Sequence, residues 1–266
     1  RTTTSCGWAE PRSDLTSESL MQVVVGQPFA ASETGGRANN EDAIYPAIGQ
    51  AARGTGALFV VCDGVGGAER GEMASALACE ALADGMAATG GRDVQEAVKY
   101  TERRFDAYLA THPEAVGMAT TLTMLAFDRG GGVTVAHIGD SRVYHFRDGR
   151  IVFRTEDHSL VNVWVKLGRI TAEEAARHPQ RHVITRAIQG SSAPAEADVV
   201  RLTDVRPGDR FLLCTDGVTD VITDDALSSL FATHPTPEAV GRAIIDACSV
   251  RARDNFSFYI VPILRG

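Results

Sequence analysis

Long apolar runs, an excess of basic residues and a paired set of cysteines are all missing from this sequence of 266 residues. No apolar run approaches the roughly 18–20 residues that cross a bilayer, so we expect no membrane span. Acidic residues outnumber basic ones by 34 to 26, and the formal net charge is −8. Because no basic stripe reverses this balance, we expect no general affinity for nucleic acid or anionic membranes.

The five cysteines fit neither a zinc site nor a disulfide framework, because their number is odd and their spacing is irregular. Cys62 and Cys214 lie inside apolar runs, where a thiol usually behaves as a small hydrophobic group. This use of cysteine is typical of a reducing compartment, and we predict a cytoplasmic protein.

The first stretch of the chain, residues 1–21, is polar and rich in Ser and Thr. It lacks the order of a secretion signal, in which basic residues precede an apolar segment. We predict that this stretch is a disordered N-terminal extension. The length of the remainder, 22–266, and the lack of an internal linker rich in Pro, Gly or Ser favour a single domain.

Strand and helix patterns come in blocks, which indicates an α+β arrangement more than a regular βαβ alternation. The pair Asp148-Gly149 lies between two strand patterns and predicts a hairpin. The predicted strands are short and rich in β-forming residues. They cover 22–25, 57–62, 121–127, 133–138, 142–147, 150–155, 210–214 and 256–264.

Helical patterns fill most of 69–112, where apolar residues recur at three- and four-residue spacing and predict two long helices. Thr171 and Glu174 predict a capping box for a short helix. Thr236 followed by Pro237 predicts the N-cap and first turn of a helix near the end of the chain.

Two distant segments share one pattern, an apolar strand followed by Asp-Gly. Asp63-Gly64 ends the first and Asp216-Gly217 ends the second. An aspartate in this position lies at the rim of a sheet, and the glycine allows backbone to approach whatever the aspartate holds. For either pair alone, a simple turn explains the pattern equally well.

Further acids occupy comparable places. Asp140 follows the predicted strand 133–138, Glu41 and Asp42 lie side by side, and Asp254 precedes the last predicted strand. Mg²⁺ and Mn²⁺ prefer oxygen ligands, so carboxylates without His or Cys partners suit these ions and not zinc. Spacing alone does not bring these acids together.

Seven short motifs follow one another along the chain. They are 36–42 (Gly-Arg-Ala-Asn-Asn-Glu-Asp), 61–67 (Val-Cys-Asp-Gly-Val-Gly-Gly), 119–122 (Ala-Thr-Thr-Leu), 139–142 (Gly-Asp-Ser-Arg), 157–159 (Asp-His-Ser), 213–217 (Leu-Cys-Thr-Asp-Gly) and 254–255 (Asp-Asn). In this order they resemble the metal-dependent protein phosphatases, the 2C-type serine/threonine phosphatases, and specifically their bacterial branch. The segment 167–190 also resembles the flap beside the active site of bacterial members.

The resemblance implies a four-layer α-β-β-α sandwich, with two antiparallel sheets flanked by helices. It also implies two core ions of Mn²⁺ or Mg²⁺. Asp63 would bridge both, with the Gly64 carbonyl as a further ligand. Asp216 and Asp254 would complete the ligands of one ion, and Glu41 would contact the other directly or through water.

Three more roles follow from the resemblance. Asp42 would orient metal-bound water. Arg37 would bind the substrate phosphate as a charge-assisted fork. Asp140 would help to hold a third, weaker metal ion.

The implied reaction is hydrolysis of phosphoserine and phosphothreonine on proteins by water activated between two metal ions. The implied partners are phosphorylated proteins and a Ser/Thr kinase that the enzyme opposes. Eukaryotic members often carry a His after the Asp-Gly, and here that position is Val65. The general acid is therefore unassigned, and a metal-bound water is one candidate. His137 and His158 are weaker candidates, because a His near a strand more often packs or caps.

Two other functions stay open on the sequence. A pseudophosphatase would bind phosphoproteins without cleaving them, but it would be expected to lack at least one of the metal carboxylates. A metal-dependent hydrolase of another phosphate monoester would need a pocket or basic groove, for which the sequence gives no signal.

Overall fold

The computed structural model describes residues 24–50, 56–65, 69–128 and 132–264. The predicted N-terminal extension lies outside these residues. Among the helices that are described, none combines the length and the apolar character required to cross a bilayer.

Two antiparallel sheets form the centre of the structure. Within the described residues the strands are β1 (Val24–Val25), β2 (Phe29–Glu33), β3 (Asp42–Tyr45), β4 (Leu58–Val65), β5 (Ala119–Thr120), β6 (Leu122–Phe127), β7 (Val133–Ile138), β8 (Arg142–Arg147), β9 (Arg150–Arg154), β10 (Asp198–Leu202), β11 (Arg210–Cys214) and β12 (Phe256–Leu264). The first sheet has the order β1-β12-β11-β8-β9, and β2 also pairs with β12. The second has the order β10-β7-β6-β4-β3, and β5 also pairs with β4.

Helices cover the outer face of each sheet. In the described part of the chain they are α1 (Glu69–Ala88), α2 (Val94–Leu109), α3 (Leu160–Lys166), α4 (Ala172–Ala176), α5 (Asp216–Thr219), α6 (Asp224–Thr233) and α7 (Pro237–Arg251), with a 3-10 turn at Pro113–Ala115. Local sequence explains several starts, because the side chains of Asp93, Ser159 and Thr236 accept hydrogen bonds from backbone N–H groups of the first turn. The predicted capping box of Thr171 and Glu174 is confirmed.

Three clusters of apolar side chains hold the two sheets and the two helical layers together. One cluster lies between the sheets, and one lies between each sheet and its helices. Between the sheets, Phe59 and Val61 of β4 pack with Phe211 and Leu213 of β11. The neighbouring residues on each strand face the other way and pack under helices, as Leu212 does beneath α6 and α7. The predicted four-layer α-β-β-α sandwich is therefore confirmed.

Several element bounds agree with the sequence analysis and others do not. The hairpin at Asp148-Gly149 is confirmed, with φ values of 51° and 75° that match a tight two-residue turn. Strand β4 continues through Asp63 and Gly64 to Val65, so the first Asp-Gly pair is not a turn. The second pair opens a helix, because Asp216 is the first residue of α5.

Strands β2, β3, β5 and β10 are not predicted from the sequence. Strand β2 is rich in small residues, β3 and β5 are four and two residues long, and β10 is an exposed edge strand. None of them shows the apolar alternation by which a strand is recognised.

The turn between β10 and β11 carries a buried carboxylate that ties it to β8. Asp209 accepts hydrogen bonds of 2.8 Å from His145 Nε2, from Arg147 Nε and from the backbone N–H of Arg206. Burial pushes the pKa of Asp209 upward, but the hydrogen bonds from Arg147, Arg206 and His145 outweigh it and hold the pKa below its usual value.

We expect Asp209→Asn to lower the free energy of unfolding at pH 7 by about 3 kcal/mol, because it leaves Arg147 and His145 without their charged partner. The folded pKa of Asp209 is lowered, so the stabilisation is present above the usual Asp range and is lost as the pH falls through the folded pKa. Denaturant unfolding of the parent and of the variant at several acidic pH values measures the free energy of unfolding and its pH dependence. Asp204→Asn is the control, since Asp204 contacts the same Arg147 but its side chain is 62% exposed. Equal losses of stability in the two variants would contradict the role given to Asp209.

Candidate metal centre and active site

Acidic residues from both sheets meet at one rim of the sandwich. Asp42 of β3 and Asp63 of β4 are direct partners in the second sheet. Asp216 follows β11 of the first sheet, and Asp254 lies just before β12. Asp140 follows β7.

Electrostatics shows that these side chains are close neighbours. Burial raises the pKa of Asp63 well above its usual value, and the charges of Asp42, Asp216, Asp140 and Asp254 raise it further. Burial, together with nearby carboxylates, also raises the pKa values of Asp42 and Asp140 to about 7. The structure thus brings together five acids that the sequence places as much as 212 positions apart, from Asp42 to Asp254.

One oxygen in this cluster is buried without a partner. Thr215 donates a 3.0 Å hydrogen bond to Asp42 Oδ2, whereas Asp42 Oδ1 has no hydrogen-bond partner among the described residues. A buried, unpaired carboxylate oxygen beside four further acids is strongly unfavourable unless positive charge or water compensates it. The donor set consists of oxygens, so it fits Mg²⁺ or Mn²⁺.

Close packing of α1 against β4 brings two more oxygens near each other, one from Glu41 and one from Gly64. A Cβ placed on Gly71 of α1 would lie 2.6 Å from Glu41 Oε2 and 2.9 Å from the Gly64 carbonyl oxygen. A Cβ on Gly64 would lie 2.1 Å from the Gly71 carbonyl oxygen. At Gly64 only glycine fits, because the added Cβ would meet backbone, whereas at Gly71 it would meet mainly the end of the flexible Glu41 side chain. The Glu41 carboxylate and the Gly64 carbonyl oxygen both lie close to Gly71.

A buried asparagine fixes the loop that carries Glu41. Asn255 Oδ1 accepts a 2.8 Å hydrogen bond from the Glu41 backbone N–H. Its Nδ2 donates to the carbonyl oxygens of Thr34 at 2.8 Å and Asn39 at 2.7 Å. The sequence motif Asp254-Asn255 marked this residue but gave no role for it.

Two hydroxyls hold the backbone of Asp63. Thr121 Oγ1 accepts a 2.9 Å hydrogen bond from the Asp63 N–H, and Thr120 Oγ1 donates to the Asp63 carbonyl oxygen at 2.9 Å. Thr121 Oγ1 also lies 2.8 Å from Ser141 Oγ, next to Asp140. Uncharged groups therefore fix the position of the central aspartate.

Arg37 stands at the open side of the cluster. Its Nη2 donates a 2.7 Å hydrogen bond to Asp254 Oδ2, and the two side chains are 59% and 41% exposed. An exposed ion pair of this kind contributes at most about 1 kcal/mol, so the guanidinium exchanges partners at little cost.

Among the described residues, the side-chain contacts of the histidines considered from the sequence do not include the five rim aspartates. His137 and His158 stack on each other with ring centroids 4.4 Å apart, and His137 Nε2 lies 2.9 Å from the Glu156 carbonyl oxygen. A different imidazole approaches the cluster, because His182 Nδ1 lies 3.7 Å from carboxylate oxygens of Asp216 and Asp220. Its position in the flap, 167–190, is the signal that could have identified it.

Two of the described cysteines lie next to the site in sequence but pack in the apolar core. Cys62 and Cys214 are fully buried, which confirms their expected role as small apolar groups. Burial raises the pKa of the Cys62 thiol well above its usual value, so this thiol is not a nucleophile at neutral pH.

We expect protein freed of metal ions by a chelator to lose stability as the pH rises from about 5 to about 8. The raised pKa values of Asp42 and Asp140, about 7, mean that the folded state keeps protons that the unfolded chain has released. The folded state then binds more protons, and stability falls with increasing pH. Melting temperatures measured with EDTA test this, and a profile that rises over this range would contradict it. Asp42→Asn is the control, since it removes one of the groups and reduces the slope.

Comparison with known proteins agrees with this geometry. The family model of protein phosphatase 2C matches residues 31–244. The serine/threonine protein phosphatase PstP of Mycobacterium tuberculosis is 34% identical over 232 residues, which cover 86% of this chain and 43% of PstP. This chain therefore spans less than half the length of that relative.

Solved structures give the same result. The structure of the Mycobacterium tuberculosis serine/threonine phosphatase PstP matches with a TM-score of 0.79 and 34% identity, over 91% of this chain and 100% of that one. The catalytic domain of PstP in complex with two manganese ions matches with a TM-score of 0.73 and 32% identity, over 90% and 99%. Sequence, fold and comparison lead to one conclusion: the chain belongs to the protein phosphatase 2C family.

Proposed function

We propose that this protein removes phosphate from phosphoserine and phosphothreonine on other proteins, with bound divalent metal ions. The observation that carries the proposal is the rim of five aspartates with one unpaired buried oxygen, at Asp42 Oδ1. Family membership supports the same reaction.

Asp63, Asp216 and Asp254 would hold the core ions, together with Glu41 and the Gly64 carbonyl oxygen. Bound Mn²⁺ or Mg²⁺ would lower the pKa of coordinated water and offset the negative charge of the phosphate. A third, weaker ion at Asp140 is part of the proposal.

The side chains of the protein supply binding and orientation. The Arg37 guanidinium would leave Asp254 and donate two parallel hydrogen bonds to the substrate phosphate. Asp42 would accept a hydrogen bond from water at Oδ1 while Thr215 holds Oδ2 in place. Burial and the nearby carboxylates raise the pKa of Asp42 in the protein without bound metal, so neighbouring cations would favour its charged form, which accepts the hydrogen bond from water.

The physiological setting is inferred from the same family. Phosphorylated proteins would be the substrates, and a bacterial Ser/Thr kinase would be the opposing enzyme in a signalling system. We propose a cytoplasmic location and a single phosphatase domain over 22–266.

We expect phosphate release from a phosphothreonine peptide to require Mn²⁺, to stop with EDTA, and to fall by about 100-fold or more in Asp216→Asn, because a core ligand is weakened. Malachite-green detection of phosphate measures all three. Asp246→Asn on the exposed face of α7 is the control and should match the parent.

The outcomes separate the competing functions. Failure of folded, Mn²⁺-loaded protein to release phosphate from several phosphopeptides would favour a pseudophosphatase that binds phosphoproteins. Release from nucleotides in preference to phosphopeptides would favour a hydrolase of other phosphate monoesters. Activity that survives both EDTA and the substitution would contradict the metal site.

Gly71→Ala should separate metal binding from stability. The new Cβ would displace Glu41 Oε2, so the Mn²⁺ concentration for half-maximal activity should rise. The melting temperature should change little, since alanine gains about 1 kcal/mol of helix propensity against the crowding. Ala76→Gly, on the exposed side of the same helix, should lower the melting temperature and leave the Mn²⁺ dependence unchanged. An unchanged Mn²⁺ dependence in Gly71→Ala would exclude Glu41 from the metal site.

A further inference from the structure

A cavity of about 620 Å³ opens at the end of the sandwich that lies away from the acidic rim. Among the described residues, the apolar side chains of Leu58 and Met86 line it, and so do two arginines, Arg92 and Arg201. Leu58 is the first residue of β4, and the same strand carries Asp63 near its other end. At about 3.3 Å per residue, roughly 16 Å of strand separates the cavity from the rim. We call it the distal cavity.

The distal cavity is open where α1 turns into α2. Gly90 and Gly91 form this turn in left-handed conformations, with φ values of 64° and 78°, and both line the cavity. A Cβ added to either glycine would meet no other atom within 4 Å. In the described part of the chain, no side chain therefore covers this turn.

The charged residues of the distal cavity leave it positive. Arg201 Nη1 pairs with Asp128 Oδ2 at 2.7 Å, and Asp128 also lines the cavity. Arg92 is exposed, and it has no hydrogen bond or ion pair with another described residue. Among the described lining residues, two arginines thus stand against one aspartate, beside an apolar wall. Such a surface fits a ligand that combines apolar groups with negative charge.

The chain that leads into β1 passes close to this cavity. Strand β12 begins beside the acidic rim and ends at Leu264, which pairs with Val24 of β1. Val25 packs against the cluster between the sheets, which includes Phe127 and also contacts Ala57. Phe127 and Ala57 both line the distal cavity. Because an extended chain covers about 3.3 Å per residue, the few residues directly before Val24 are long enough to reach it.

The sequence of that preceding segment is complementary to the distal cavity. Residues 13–21 read Ser-Asp-Leu-Thr-Ser-Glu-Ser-Leu-Met. They carry the acids Asp14 and Glu18, the apolar side chains of Leu15, Leu20 and Met21, and no basic residue. A segment tethered this near to its site needs little intrinsic affinity, since the tether gives it an effective concentration of about millimolar. It also needs no fold of its own before it binds.

We propose that residues 13–21 dock in the distal cavity. The leucine and methionine side chains of the segment enter the cavity, and its two acids pair with Arg92 and Arg201. The segment then covers the apolar wall between α1 and the second sheet, at the opposite end of α1 from Gly71. This docking is independent of the phosphatase reaction.

The measurement is amide hydrogen exchange in the full chain, read by mass spectrometry on fragments that cover residues 13–21. In the parent, these amides should exchange about tenfold or more slowly than in a synthetic peptide of the same sequence, because protected amides exchange only when the segment leaves its site. Exchange is followed at two protein concentrations, so that binding within one molecule is distinguished from binding between copies.

Reversal of charge tests the pairing. Arg92→Glu combined with Arg201→Glu should bring exchange to the rate of the free peptide. Adding Asp14→Lys and Glu18→Lys to that variant should restore protection, because the opposite charges then face each other again. Arg242→Glu is the control, since it reverses the charge of an exposed arginine on α7, and it should keep the protection of the parent.

A parent without protection would overturn the proposal, as would protection that persists after both arginines are reversed or that is not restored by the reversed acids. Protection that disappears on dilution would also overturn it and would assign the cavity to a second copy of the chain. Should the doubly reversed variant fail to fold by its melting curve, Arg92→Glu alone replaces it, because Arg92 is exposed. Loss of protection in that variant supports the docking, and full retention overturns it.

Discussion

Repulsion between buried carboxylates is the constraint on which the rest of this structure depends. Asp63 lies among four other acids, and burial together with their charges raises its pKa well above its usual value. Neutral groups hold the cluster in place: the hydroxyls of Thr121 and Thr215 and the amide of Asn255. Binding of cations and stability of the fold are therefore linked in this protein.

The two sheets contribute to the site in different ways. The second sheet supplies Asp42 and Asp63 from neighbouring strands, where ladder hydrogen bonds fix their separation. The first sheet supplies Asp216 and Asp254 from chain segments at strand ends. Thr215 joins both, because it belongs to the first sheet's rim and donates to Asp42 of the second.

Elements with strong local signals could be predicted from the sequence. The bounds of β7, β8, β11 and β12 agree with it, because buried apolar strands between turn residues leave a clear pattern. Edge strand β10 could not be found, since both of its faces are polar or exposed. The acids were identified through Asp-Gly pairs and through the family motifs.

The groups that support the acids could not be predicted in the same way. Asn255 binds the backbone of Glu41 across 214 positions of sequence, and Thr121 binds Asp63 across 58. Such hydrogen bonds depend on how the sheets meet, and no local pattern records that. The role of Gly71 could not be predicted either, because it depends on the Glu41 carboxylate that packs against this helical glycine in the folded structure.

The apolar layer between the sheets determines in which direction the rim of acidic residues deforms most easily. Ladder hydrogen bonds lock each sheet internally, whereas Phe59, Phe211 and their neighbours join the sheets chiefly through non-directional apolar contact. Small shear between the sheets costs less than distortion within either one. Because the proposed ligands of the core ions come from both sides of this seam, we expect differences in ionic radius between Mg²⁺ and Mn²⁺ to be taken up between the sheets more than within either one.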